Sequence, residues 1–113
     1  MINVIFKRRS GFLISYKVLG HAEYTVDNEI IYDDMVCGVV SNIAQVIILG
    51  VVEVLKLKAT YIAEEGNISL QMDSLCPNEI ASAQVLMETM LLGLKNLEIS
   101  YSEYIKVRIE EVQ

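Results

Sequence analysis

Residues 33–56 read DDMVCGVVSNIAQVIILGVVEVLK, and what kind of helix this segment forms decides the fold. No residue from Met35 to Val52 carries a formal charge, a length at the lower limit for crossing a bilayer. Ser41, Asn42 and Gln45 interrupt the run, Asp33 and Asp34 precede it, and Glu53 and Lys56 close it. These interruptions favour a helix buried on most sides, by a sheet on one and by a second helix or a partner subunit on the other. Asp34 is read as its N-cap, with a carboxylate that accepts from the first free amides, and the helix is expected to run to about Lys56. Gly38 and Gly50 lie inside it and each costs about 1 kcal/mol relative to alanine, so something, such as another backbone, is expected to approach closely there.

Working outward, Ile2 to Lys7 has strand composition, residues 8–11 (RRSG) supply a turn, and Phe12, Ile14, Tyr16 and Val18 alternate with Leu13, Ser15 and Lys17. That is a hairpin ending at Gly20 and His21. Residues 22–33 show neither period and are read as a loop. Beyond the long helix, KATYIAEE, a turn at Gly66-Asn67, and ISLQMD predict a second hairpin. Pro77 opens a second helix, in which Ile80, Ala83, Leu86, Met90, Leu94 and Leu97 recur at three and four. Ile105, Val107 and Ile109 then alternate with charged residues as in a half-solvated strand. The expected fold is one α+β domain over residues 1–113, two-layered, with a largely antiparallel five-stranded sheet, two helices and the order ββαββαβ.

The chain is 53% hydrophobic, with a mean hydropathy of +0.41, more apolar surface than one small core hides, and oligomerisation is the expected outlet. A net charge of -6 and a pI near 4.7 argue against direct nucleic-acid binding, since the single basic cluster is Lys7-Arg8-Arg9 in a turn. Two cysteines and an N-terminus without the pattern of a secretory signal fit the reducing cytoplasm, with both thiols free.

A thiol attacks as thiolate, and the amides and dipole at a helix N-terminus favour that form. Cys37 lies in the first turns of the long helix, and His21, the chain's one histidine, is the candidate to take its proton and later protonate a leaving amine. The alternative is a packing role, because cysteine is often buried and a lone histidine is often a satisfied polar group. Cys76, before Pro77, is read as packing. His21, Cys37, Cys76 and an aspartate lack the spacing of a zinc site, so neither metal nor cofactor is expected.

The residues Gly20-His21-Ala22, followed by Asp34-Met35-Val36-Cys37-Gly38-Val39-Val40-Ser41, resemble the paired signatures GHA and D-x-V-C-x-x-V-S of the ribosomal-processing cysteine proteases, the Prp family of bacteria. The resemblance covers the chain. It implies a homodimeric Cys-His protease that removes an N-terminal extension from the twenty-seventh protein of the large ribosomal subunit, with Cys37 as nucleophile and His21 as general base. Asp34 and Ser41 match the remaining motif positions. Asp34 caps the helix, orients His21, or does both, and Ser41 shares a helix face with Cys37. An oxyanion hole is expected from backbone amides near Cys37, where Gly38 leaves room for a carbonyl oxygen. The connecting loop is longer than is usual in the family and carries Glu23, Asp27, Glu29, Asp33 and Asp34. Its charges suit a basic ribosomal precursor as peptide substrate, with Tyr24, Ile30, Ile31 and Tyr32 offering apolar pockets. A second reading from another class is a noncatalytic dimeric ribosome-associated assembly module that holds a basic partner through this loop.

Overall fold

The computed structural model describes residues 1–113. Strands β1 (Ile2–Arg9) and β2 (Phe12–Leu19) form the first hairpin, closed by Ser10 and Gly11, both at positive φ as a tight two-residue turn requires. A smaller hairpin follows, β3 (Glu23–Val26) and β4 (Glu29–Tyr32), then helix α1 (Asp34–Leu49), which continues as one π-helical turn over Gly50–Val54. Strands β5 (Thr60–Glu64) and β6 (Asn67–Gln71), helices α2 (Pro77–Ser82) and α3 (Gln84–Ser100), and strand β7 (Ile105–Val112) complete the chain. The main sheet has the order β5-β6-β2-β1-β7 and is antiparallel except where β7 lies parallel to β1, Ile2 opposite Ile105 and Phe6 opposite Ile109. The expected α+β class, the five strands and the helical cover on the sheet are all present.

Four details differ from the expectation. Residues 22–33 are not a loop: Asp27 and Asn28 both have positive φ and turn Tyr24-Thr25-Val26 back onto Glu29-Ile30-Ile31. Because both faces of this hairpin are largely wet, no alternating pattern marked it. The N-cap of α1 is Asp33, not Asp34; the Asp33 carboxylate accepts from the Val36 amide at 2.9 Å, and Asp34 is the first helical residue. Gly50 is met by a Leu86 methyl, not by a backbone, and no atom from elsewhere in the fold stands within 4 Å of the Cβ position of Gly38. The second helix is two, broken at Ala83 (φ -93, ψ -3), whose N–H donates to the Ile80 carbonyl, and the Gln84 side chain after it reaches the sheet. The Gln84 amide both donates to the Leu13 carbonyl and accepts from the Leu13 N–H, each at 2.8 Å, serving the backbone of β2 beside a register shift in β1.

Val36, Val40, Ala44, Ile47, Ile48 and Val51 bury one side of the long helix against the sheet and α3. The segment Asp34–Val54 is long and apolar enough to cross a membrane by length and composition, and a third of it is buried inside this fold. At the centre, the Tyr16 ring is fully buried and its hydroxyl donates to the Ala44 carbonyl at 2.7 Å, tying β2 to α1. Burial pushes this phenol well above the ordinary tyrosine range. A group whose folded pKa is raised contributes stability that is intact below its unfolded value, about 10, and is lost as pH climbs past it. Tyr16→Phe is therefore expected to cost about 1 kcal/mol at pH 7 and to flatten the loss of stability above pH 10, both read from denaturant melts.

Candidate active site

Gly20 ends β2 at φ +91, a conformation open to glycine at little cost, and a Cβ there would stand 2.6 Å from the Met1 carbonyl oxygen. The chain thus bends off the sheet at this point and presents His21 at the surface and Ala22 inward, where Ala22 is 1% exposed. The Ala22 amide donates to the Cys37 sulfur at 3.0 Å, and its carbonyl accepts from the Asp33 N–H at 2.9 Å. Asp33 in turn caps the helix that carries Cys37. The base of the small hairpin and the start of α1 are therefore one hydrogen-bonded unit with the sulfur at its centre.

The histidine ring rests on the β5–β6 turn. At Gly66, φ is +73, and a Cβ would come within 3.1 Å of the His21 Nε2 and 3.3 Å of its Cε1. The Gly20 amide donates to the Gly66 carbonyl at 3.0 Å, which fixes this turn against the end of β2. Gly66→Ala is expected to displace the ring, because an L side chain is strained at this φ and its Cβ would crowd the imidazole; a shift of the His21 ring resonances in NMR with an unchanged circular dichroism spectrum checks it.

A cavity of about 390 Å³ opens between the two elements, and His21, Cys37, Gly38 and Ser41 all line it, with Gln45, Glu64, Glu65 and Asn67. Cys37 is partly buried and Cys76 is exposed, both free thiols. No cluster of His, Cys, Asp and Glu side chains could hold a metal ion. Three residues singled out in the sequence stand elsewhere. Asp34 is exposed, caps nothing and does not line the cavity. Tyr24 packs edge to face on Tyr104 with 5.2 Å between ring centroids, and Tyr32 is 61% exposed on β4. Desolvation, then the neighbouring Tyr24 and Asp33, raise the Tyr104 phenol above its usual range.

The Cys37 amide donates to the Asp33 carbonyl at 3.2 Å, so the N–H of the nucleophile candidate itself is occupied by the helix. The amide aimed at the sulfur belongs to Ala22. Sequence reading missed Ala22, Asp33, Gln45 and Gly66. The Asp33-Asp34 pair made the cap ambiguous by one residue, and nothing local reveals that a turn from another hairpin will support the imidazole.

The arrangement offers a sulfur with an N–H donor, an imidazole at the rim of the same cavity, and an open approach over Gly38, as acyl transfer to a thiol requires. The family model described as Cysteine protease Prp matches residues 1–106. The crystal structure of SMU.848 from Streptococcus mutans is 26% identical with a TM-score of 0.76, covering 99% of this chain and 96% of that one. The fold is also that of an essential ribosomal processing protease Prp from S. aureus, solved with a covalently linked product peptide (21% identity, TM-score 0.63) and with a substrate peptide (19%, 0.61). In both, 97% of this chain and 100% of that chain are covered. No curated protein matches the sequence.

Proposed function

Since the chain belongs to the cysteine protease Prp family, we propose that it is an endopeptidase acting through a Cys37–His21 pair on the extended N-terminus of a ribosomal protein, the twenty-seventh of the large subunit. The observation that carries this is the hydrogen bond from the Ala22 amide to the Cys37 sulfur, in a cavity that His21 also lines. The N–H holds the sulfur at the cavity wall, where a substrate carbonyl can reach it.

In this reading His21 takes the proton of the Cys37 thiol as the sulfur attacks the scissile carbonyl carbon, a C–S bond forms, and the π electron pair of the carbonyl moves onto its oxygen as negative charge. As sulfur becomes neutral, the Ala22 N–H is released to that oxygen, the role for which the Cys37 amide is unavailable. Imidazolium at His21 passes its proton to the departing amine as the C–N bond breaks. Neutral imidazole then takes a proton from water, whose oxygen displaces the thiolate from the acyl carbon. Ser41, one turn beyond Cys37, lines the cavity without a hydrogen bond from the protein and can hold a substrate backbone group.

Glu64 and Glu65 at the cavity and Glu23, Asp27 and Glu29 on the small hairpin make the approach acidic, which raises the encounter rate with a basic ribosomal tail. The titratable apparatus and these charges need no cofactor. The test is incubation of the purified protein with the extended ribosomal precursor, followed by intact mass: one shortened product and one released N-terminal peptide are expected, and a precursor left whole would end the proposal.

A cytoplasmic homodimer belongs to the same proposal. Met35, Val39, Val46 and Leu49 leave an apolar stripe along α1, and Val85, Leu92 and Ile99 leave another along α3. The double variant Val46→Glu, Leu92→Glu is expected to be monomeric in light scattering where the unaltered protein is a dimer.

A further inference from the structure

The cavity at Cys37 adjoins a second, more apolar one of about 140 Å³, and the two share Gln45 and Ala63 as lining residues. The second is lined by Ile48, Leu49, Val52 and Tyr61, with Glu53 at its far end. Cys37, Ser41, Gln45, Ile48 and Val52 are spaced at four, four, three and four, so they form one flank of the same helix. This flank is the wall of a groove. Its floor is β5, the edge strand of the sheet, whose Tyr61 and Ala63 lie opposite the buried Leu70 and Ile68 and so face the helical layer. No helix covers them: Tyr61 is 50% exposed, and the outer edge of β5 pairs with no strand.

We propose that this groove seats the substrate as an extended chain along α1 and β5, and that the second cavity is a specificity subsite for one large apolar side chain four or five residues from the scissile bond. The inference rests on the protease reading and deepens it. The distance follows from the helix. Gln45 lies about 12 Å beyond Cys37 and the Ile48–Leu49 turn about 17 Å, at 1.5 Å per residue. An extended peptide covers those spans with roughly four and five residues at about 3.3 Å each. An apolar cavity of about 150 Å³ is large enough for a benzene ring, so the volume fits one branched or aromatic side chain. The polar Gln45 amide between the two cavities, without a partner in the protein, is placed to meet the peptide backbone as it passes.

The probe is the extended N-terminal segment of the ribosomal precursor, used with the full chain in two arms. In the first, a fluorescent form of the segment is titrated into the Cys37→Ala protein. Adding Tyr61→Ser or Val52→Asn is expected to weaken binding about tenfold, with circular dichroism confirming the fold. Unchanged affinity, or no binding to Cys37→Ala itself, overturns the subsite. In the second arm, alanine is stepped through the segment. One apolar position, four or five residues from the cut, is expected to lower kcat/KM about tenfold through KM, and that sensitivity is expected to disappear in Tyr61→Ser. Sensitive positions confined to three residues about the bond, or a Tyr61→Ser defect in kcat alone, overturn it. The first arm reads binding without cleavage, so a failed protease reading and a failed subsite give different results.

Discussion

Cys37→Ala is expected to abolish cleavage of the extended ribosomal precursor, with the rate falling by about four to six powers of ten to the level of background hydrolysis. In the proposed mechanism the covalent intermediate forms on this sulfur, and no other side chain in the cavity replaces it: Ser41 lies a full helical turn away, and Cys76, before Pro77, does not line the cavity. The fold is expected to survive. Cys37 is a partly buried member at the margin of the core, and the lost Ala22 N–H···S bond faces a cavity that water enters. A cost of about 1 kcal/mol is anticipated from denaturant melts. Turnover by this variant close to the unaltered rate would remove the nucleophile from the account.

His21→Gln has the second largest expected effect, a loss of about two to four powers of ten in kcat. Glutamine keeps most of the bulk resting on Gly66 and keeps a hydrogen-bonding end, but it cannot carry a proton between sulfur and the leaving amine. The defect is therefore expected in kcat more than in KM. Single-turnover kinetics are expected to show slow acylation, whereas a merely structural role for the ring would appear in melting behaviour and leave turnover nearly intact.

Most of the architecture was legible because its signals are local and repeated. The alternation through Ile105–Ile109 and the three-four spacing after Pro77 are consequences of one buried face each, whereas β2 is buried on both faces from Leu13 to Tyr16 and leaves Phe12 41% exposed. The small hairpin was missed because neither of its faces is buried, although Asp27-Asn28 between β-rich runs is a turn signal. The break at Ala83 escaped because the helical period is kept on both sides of it. At the site, Cys37, His21, Gly38 and Ser41 do meet at one cavity. Asp34 is corrected to Asp33 as the cap, a shift of one residue that an acidic pair conceals. The support for the imidazole at Gly66, the Ala22 amide and the far wall at Gln45 depend on which hairpin lies beside which helix, and no short window of sequence contains that.

In the proposed mechanism the Cys37 sulfur, and no other group, is where an acyl peptide becomes attached. A peptide copying the released segment and ending in a chloromethyl ketone at the cleavage position tests it directly, by tryptic mapping of the labelled protein. One label per chain is expected, on Cys37, formed much faster than with the His21→Gln protein and leaving exposed Cys76 untouched. Label on Cys76 at an equal or greater rate, or none on Cys37, would contradict it.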